Sequence, residues 1–214
     1  MQNTATLHQA LLAAFPLVAV APDGAVPPAD ADGIRYLVSA TGLWRQVTLP
    51  WVTFVHEVAP AVLRLPYGQV QPTLELRCSG IPTDLIREFT ARAKQQAPTE
   101  VAAAFLWDEG SDTWRLAWRH ARSASSGHIE YDEVRPLDGE HLVLDAHSHG
   151  YHPAFFSAED DRDDHGSMKF SLVVGSLNQA LPSSAMRLCM AGVQLPARIG
   201  AGGCLEVLLE GETA

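Results

Sequence analysis

The sequence predicts an α/β chain of the α+β type: a mixed β-sheet flanked by helices, preceded by a small β-rich lobe. Three observations carry this. Residues 1–75 hold several short apolar runs broken by Gly and Pro, the pattern of short strands and turns. Thr83 to Gln96 places Leu85, Ile86, Phe89 and Ala93 on one helical stripe, and runs of strand length follow it. The stretch from Glu140 to Phe170 reads as a strand, a turn and the start of a helix.

In the lobe of residues 1–75, Ala5 to Phe15 suits a short helix, and Asp23 to Gly33 is a Pro/Asp/Gly loop. IRYLVSA, LWRQVTL, WVTFVHEVA and AVLRL follow between Ile34 and Val70. Their β-branched and aromatic content predicts four strands. Trp44, Trp51 and Phe54 are expected in a core or an interface. His56 and Glu57 are neighbours on a strand and so face opposite ways, which gives them a structural reading. No chemistry is legible in this lobe; its place suggests substrate selection or dimerisation.

The second part, residues 76–214, is expected to begin with a strand at Pro72–Ser79 and a turn at Gly80-Ile81-Pro82. The helix Thr83–Gln96 follows, capped by Thr83 or Asp84 and ended by Ala97-Pro98. Glu100 opens the apolar run Val101 to Trp107. A carboxylate there is costly if buried alone, so it is either a solvated strand end or a working group. Asp108 to Asp112 makes a hairpin turn, and Trp114 to Trp118 returns. His120 to Gly127 reads as a flexible polar loop, and a strand spans His128 to Val134. After Asp160, the run DRDDHG reads as an acidic surface loop. It is not a calcium loop, because Leu172 stands where the bidentate carboxylate is required. Phe170–Gly175, Met186–Val193 and Leu205–Leu209 are further strands.

The net charge of −10 argues against nucleic-acid or anionic-membrane surfaces, which need basic patches. Cys78, Cys189 and Cys204 are odd in number and form no Cys-x-x-Cys pair, so neither a zinc ribbon nor a disulfide framework is indicated. A cytoplasmic setting fits. Leu7 to Ala21 has no preceding basic residue, against a secretory signal, and is too short to span a membrane.

The chemistry concentrates in His147-Ser148-His149, seven residues, then Ser157-x-x-Asp160. The i, i+2 spacing puts both imidazoles on one face of an extended segment. Two neutral imidazoles and a carboxylate leave a zinc ion one open position, as catalytic sites do. Taken apart, the pieces are ordinary: a chance histidine pair, and a helix start with Ser157 as N-cap. His152 and His165 are spare histidines close by.

At this spacing, His147, His149, Ser157 and Asp160 resemble the JAMM motif of the JAB/MPN metallopeptidase family. Glu100 matches the family's upstream glutamate. The resemblance covers roughly Leu76 to the C-terminus and implies a JAB/MPN-like fold. It implies that His147, His149 and Asp160 hold Zn²⁺. Glu100 would be acid/base for the metal-bound water, Ser157 would steady the tetrahedral intermediate, and the loop His120 to Gly127 would lie near the site, where Arg122 could contact substrate. The implied reaction is peptide or isopeptide hydrolysis at the C-terminus of a ubiquitin-like protein. Two departures stand out. Gly150 sits where members commonly have Pro, and Ala103 lies where many have Gly. The whole chain also resembles a component of the bacterial PRTRC gene cassette, which includes ThiF-like and ubiquitin-like partners. A homodimer is compatible with this.

Two other readings stay open. Asp145-Ala-His147-Ser-His149 matches the Asp-x-His-x-His of amidohydrolase or PHP barrels, but such a barrel takes about 250 residues and too few follow His149. A non-catalytic MPN scaffold that assembles partners is the other.

Overall fold

The structure, a computed structural model, describes residues 4–125, 128–132 and 134–208; the side chains of residues 4, 5, 8, 121–125 and 128–131 are not described. The chain divides into two compact units, Met1–Arg77 and Cys78–Ala214.

The first unit begins with helix α1 (Thr4–Ala14). Strands β1 (Leu17–Ala19), β2 (Gly33–Val38), β3 (Gly42–Leu49), β4 (Val52–Pro60) and β5 (Thr73–Leu76) follow. They form one sheet in sequence order. β1 runs parallel to β2 and the others are antiparallel. Val20, Leu37, Trp44 and Val55 pack together as its core. Trp51 and Phe54 are also buried, as their types led one to expect.

Two expectations fail here. AVLRL is not a strand: Val62 is fully exposed and Leu63 nearly so. Its apolar letters have no neighbouring strand to pair with, while β4 pairs instead with β5. The strand expected at Pro72–Ser79 is accordingly shorter and belongs to the first sheet. His56 is structural. Its Nε2 accepts from Arg45 Nε at 2.9 Å and its ring stacks on Phe54.

The second unit is a seven-stranded mixed sheet with few helices. Its elements are α2 (Thr83–Gln96), β6 (Ala102–Asp108), β7 (Thr113–Arg119), β8 (Ala121–Ser125), β9 (His128–Tyr131), β10 (Glu140–Ser148), α3 (Ala158–Asp164), β11 (Met168–Gly175), β12 (Ser183–Met190), β13 (Val193–Ile199) and β14 (Leu205–Val207). The sheet order is β14-β13-β12-β11-β10-β6-β7, with β8 and β9 forming a separate hairpin. β10 and β11 are parallel neighbours. A parallel step needs a crossover, which α3 and its approach supply.

Central strands are buried on both faces, so β6 is apolar from Ala102 to Trp107 and β11 is mostly apolar, interrupted by Lys169 and Ser171. α2 lays Phe89 and Ala93 on the sheet, and the Phe89 ring meets Phe105 edge-on at 6.1 Å. Fully burying a phenylalanine such as Phe89 contributes roughly 1.5–3 kcal/mol. Directly opposed residues share a sheet face. Phe105 and its α2 contact therefore lie on one face. Ala102, Ala104, Asp145 and His147 lie on the other.

Three local readings are corrected. α2 is capped by neither Thr83 nor Asp84. Pro82 holds the N-cap position and no side chain caps the helix. The segment after His120 is not a loop but strand β8, paired to β9; Arg122's side chain lies outside the described residues. Residues 161–164 are not a surface loop either. They complete α3, and Asp164 is buried. Among the described residues, no helix is long and apolar enough to cross a membrane.

Candidate metal centre

The candidate site lies at the C-terminal end of β10, beside the parallel pair β10–β11. Open sheets hold ligands in the crevice outside such strand ends. His147 is the next-to-last residue of β10 and His149 follows the strand. Their Nε2 atoms are 3.1 Å apart. His147 Nε2 is 3.4 Å from Asp160 Oδ1. One ligand atom from each of the three residues lies within 4.8 Å of the others. Zinc–donor distances of about 2.0–2.1 Å put tetrahedral donors roughly 3.3–3.4 Å apart. The two short separations fit that spacing, and the donor set fits a divalent ion.

The protonation states fit as well. Burial holds the His147 imidazole below the ordinary histidine value, against the pull of Asp160 and Asp145. Burial, then the neighbouring His147, lowers His149. Both rings are kept neutral at neutral pH, the form that binds metal. The Phe155 ring meets the His149 ring edge-on at 4.8 Å and limits its swing.

Asp160 reaches the site from the first turn of α3. Ser157 is the N-cap, and the two residues make a reciprocal capping box. Asp160 Oδ2 accepts from the Ser157 backbone N–H and from its hydroxyl, both at 2.7 Å. The Asp160 N–H donates back to Ser157 Oγ at 3.2 Å. One carboxylate oxygen is thus fixed by the cap, and Oδ1 is left toward His147. The cap reading and the ligand reading of this pair coexist.

Glu100 is partly buried and lies just before β6, two residues short of the strand rather than opening it. Register places it. His147 opposes Ala102, and Ser148 N–H donates to Val101 O at 3.0 Å. Glu100 is the next residue along, one step beyond these contacts.

The Gly150 departure has a backbone cause. Its φ is +56°, where glycine is at ease and proline, locked near −65°, cannot go. A Cβ here would also sit 2.6 Å from the Pro98 carbonyl oxygen. The turn is held without proline: His149 N–H donates to Val174 O and Leu177 N–H to Gly150 O. Gly175 closes over it, its missing Cβ leaving room for the His152 carbonyl. Ala103 is a buried residue of β6, on the face away from His147.

Asp145 does not join the three donors. Its Oδ2 is taken by Lys169 Nζ at 2.7 Å and Arg119 Nη2 at 3.1 Å. This removes the local support for the Asp-x-His-x-His reading. His152 and His165 are exposed and outside the group.

Sequence reasoning missed the charged cluster beside the site. Asp164 binds Lys169 at 3.1 Å and Arg187 at 2.8 Å. Burial would raise the Asp164 carboxyl, but Lys169 and Arg187 hold it below its ordinary value. Burial would likewise lower Lys169, and Asp145 and Asp164 carry it above. The signal was available: Lys169 and Arg187 are lone charges in apolar runs, which are costly unless paired.

Residues 82–189 match the family model for prokaryotic homologues of the JAB domain. Residues 5–77 match a model for a domain of unknown function, DUF2016. No curated protein matches the chain.

Proposed function

The chain belongs to the family of prokaryotic homologues of the JAB domain, and from that premise we propose that it is a zinc-dependent peptide or isopeptide hydrolase. The observation that carries this reading is the meeting of His147, His149 and Asp160 within 4.8 Å at the end of β10. These three would hold the ion. When bound, it would supply Lewis acidity and a water acidic enough to react near neutral pH.

The chain's own residues do the rest. Glu100, one residue before the Val101–Ser148 contact, is assigned to take a proton from the attacking water and pass it to the leaving amine. General acid–base work of this kind is worth roughly 10²–10⁴-fold. Ser157 is assigned the oxyanion. Its hydroxyl rotates off Asp160 Oδ2, which keeps the Ser157 backbone N–H at 2.7 Å. The ligand carboxylate therefore stays oriented while the hydroxyl serves the substrate.

The substrate class we favour is a ubiquitin-like protein extended or conjugated at its C-terminus, in a PRTRC-type setting in the cytoplasm. This rests on the motif and on the two-part chain. The test is direct. Purified protein loaded with zinc is incubated with ubiquitin-like proteins carrying C-terminal extensions. Cleavage at the junction is expected, abolished by a chelator and restored by added zinc. Absence of cleavage across the set would contradict the substrate class. Cleavage that survives chelation would contradict the metal role.

A further inference from the structure

We propose that Lys169 is a positioning residue for the metal ligands, tying the strand that carries the histidines to the helix that carries Asp160. The inference rests on the reading of His147, His149 and Asp160 as ligands.

The geometry is specific. Lys169 Nζ lies 2.7 Å from Asp145 Oδ2 and 3.1 Å from Asp164 Oδ1. Asp145 stands two residues before His147, so the two share a face of β10. Asp164 stands four residues after Asp160, one turn along α3. A single ammonium thus bridges the two elements that must meet at the ion, each gripped one repeat away from its ligand. Its side chain is only 16% exposed, so water weakens the bridge little.

α3 needs such a tie. It has seven residues, too few to hold itself together in water. Its placement must come from outside: the cap at its start, and Lys169 and Arg187 at its end. Arg187 Nε and Nη2 grip Asp164 Oδ2, Nη1 takes Asp161, and the guanidinium covers Phe156 at 3.8 Å. Arg187 fastens the helix to β12. Apart from the His147–Asp160 contact at the site itself, only Lys169 joins it to the histidine strand among the ion pairs described. Arg119, reaching across Ala102 and Ala104, steadies Asp145 from the other side.

Neither Lys169 nor its partners touch the ion in this account. Their effect is on where Asp160 Oδ1 sits relative to His147 Nε2. Outer-shell partners of metal ligands typically change affinity by about 10–100-fold.

The experiment measures zinc affinity by competition with a chromophoric chelator, together with the absorption spectrum of the cobalt-substituted protein. Lys169→Met should weaken zinc binding by about 10–100-fold and alter the cobalt bands, and Lys169→Arg should restore most of the loss. If Lys169→Met does not fold, Asp145→Asn keeps the Asp164–Arg187 clamp and should weaken zinc by about tenfold. A folded variant of either kind that binds zinc within about twofold of wild type, with unchanged cobalt bands, overturns the proposal. A purely structural lysine would lower the melting temperature and move neither readout. Wild-type protein that takes up no zinc would instead overturn the metal reading itself, and this inference with it.

Discussion

Glu100→Gln should lower turnover by roughly 10²–10⁴-fold while leaving zinc content at the wild-type level. Gln keeps the size and shape of the side chain but cannot accept the proton. Glu100 is not one of the three donors within 4.8 Å of one another, so metal uptake should not depend on it. It lies one residue before Val101, whose carbonyl accepts from the Ser148 N–H between the two histidines. The check is a single-turnover assay beside metal analysis of the same sample. Hydrolysis at the wild-type rate would show that another group moves the proton.

Asp160→Asn should weaken zinc binding by about a hundredfold or more, since even the outer-shell partners of ligands are worth about 10–100-fold. This substitution separates the two duties of the residue. An Asn side-chain oxygen can still accept from the Ser157 N–H, so the start of α3 survives. The loss of negative charge near a helix N-terminus costs about 0.3–1 kcal/mol. Circular dichroism and melting should therefore change little while zinc affinity collapses. Wild-type affinity in this variant would remove Asp160 from the ligand set and leave it as a cap alone.

The parts of this molecule legible in its sequence are those whose signals are local. α2 runs over Thr83–Gln96, where its apolar stripe and Ala97-Pro98 placed it. The strand–turn–helix order of residues 140–164 follows from an apolar run, two glycines and a Ser-x-x-Asp cap. His147 and His149 share a face because strands have a period of two. The parts that were not legible depend on distant partners. AVLRL looks like a strand by composition, yet β4 pairs with Thr73–Leu76. The acidic run after Asp160 looks like a surface loop until Lys169 and Arg187 arrive from β11 and β12 to neutralise Asp164. Strand β8 is Ala-Arg-Ser-Ala-Ser, with none of the β-branched or aromatic residues that favour strands. The positive φ of Gly150 was likewise invisible without the chain around Pro98.

The central claim is that three side chains from β10, its following turn and α3 share one ion. Diffraction from zinc-loaded crystals at the zinc absorption edge tests it most directly. The account predicts one strong anomalous peak per chain, about 2.0–2.2 Å from His147 Nε2, His149 Nε2 and Asp160 Oδ1. A peak coordinated elsewhere, at Cys78 or Cys204 for example, or no peak in protein saturated with zinc, would contradict it.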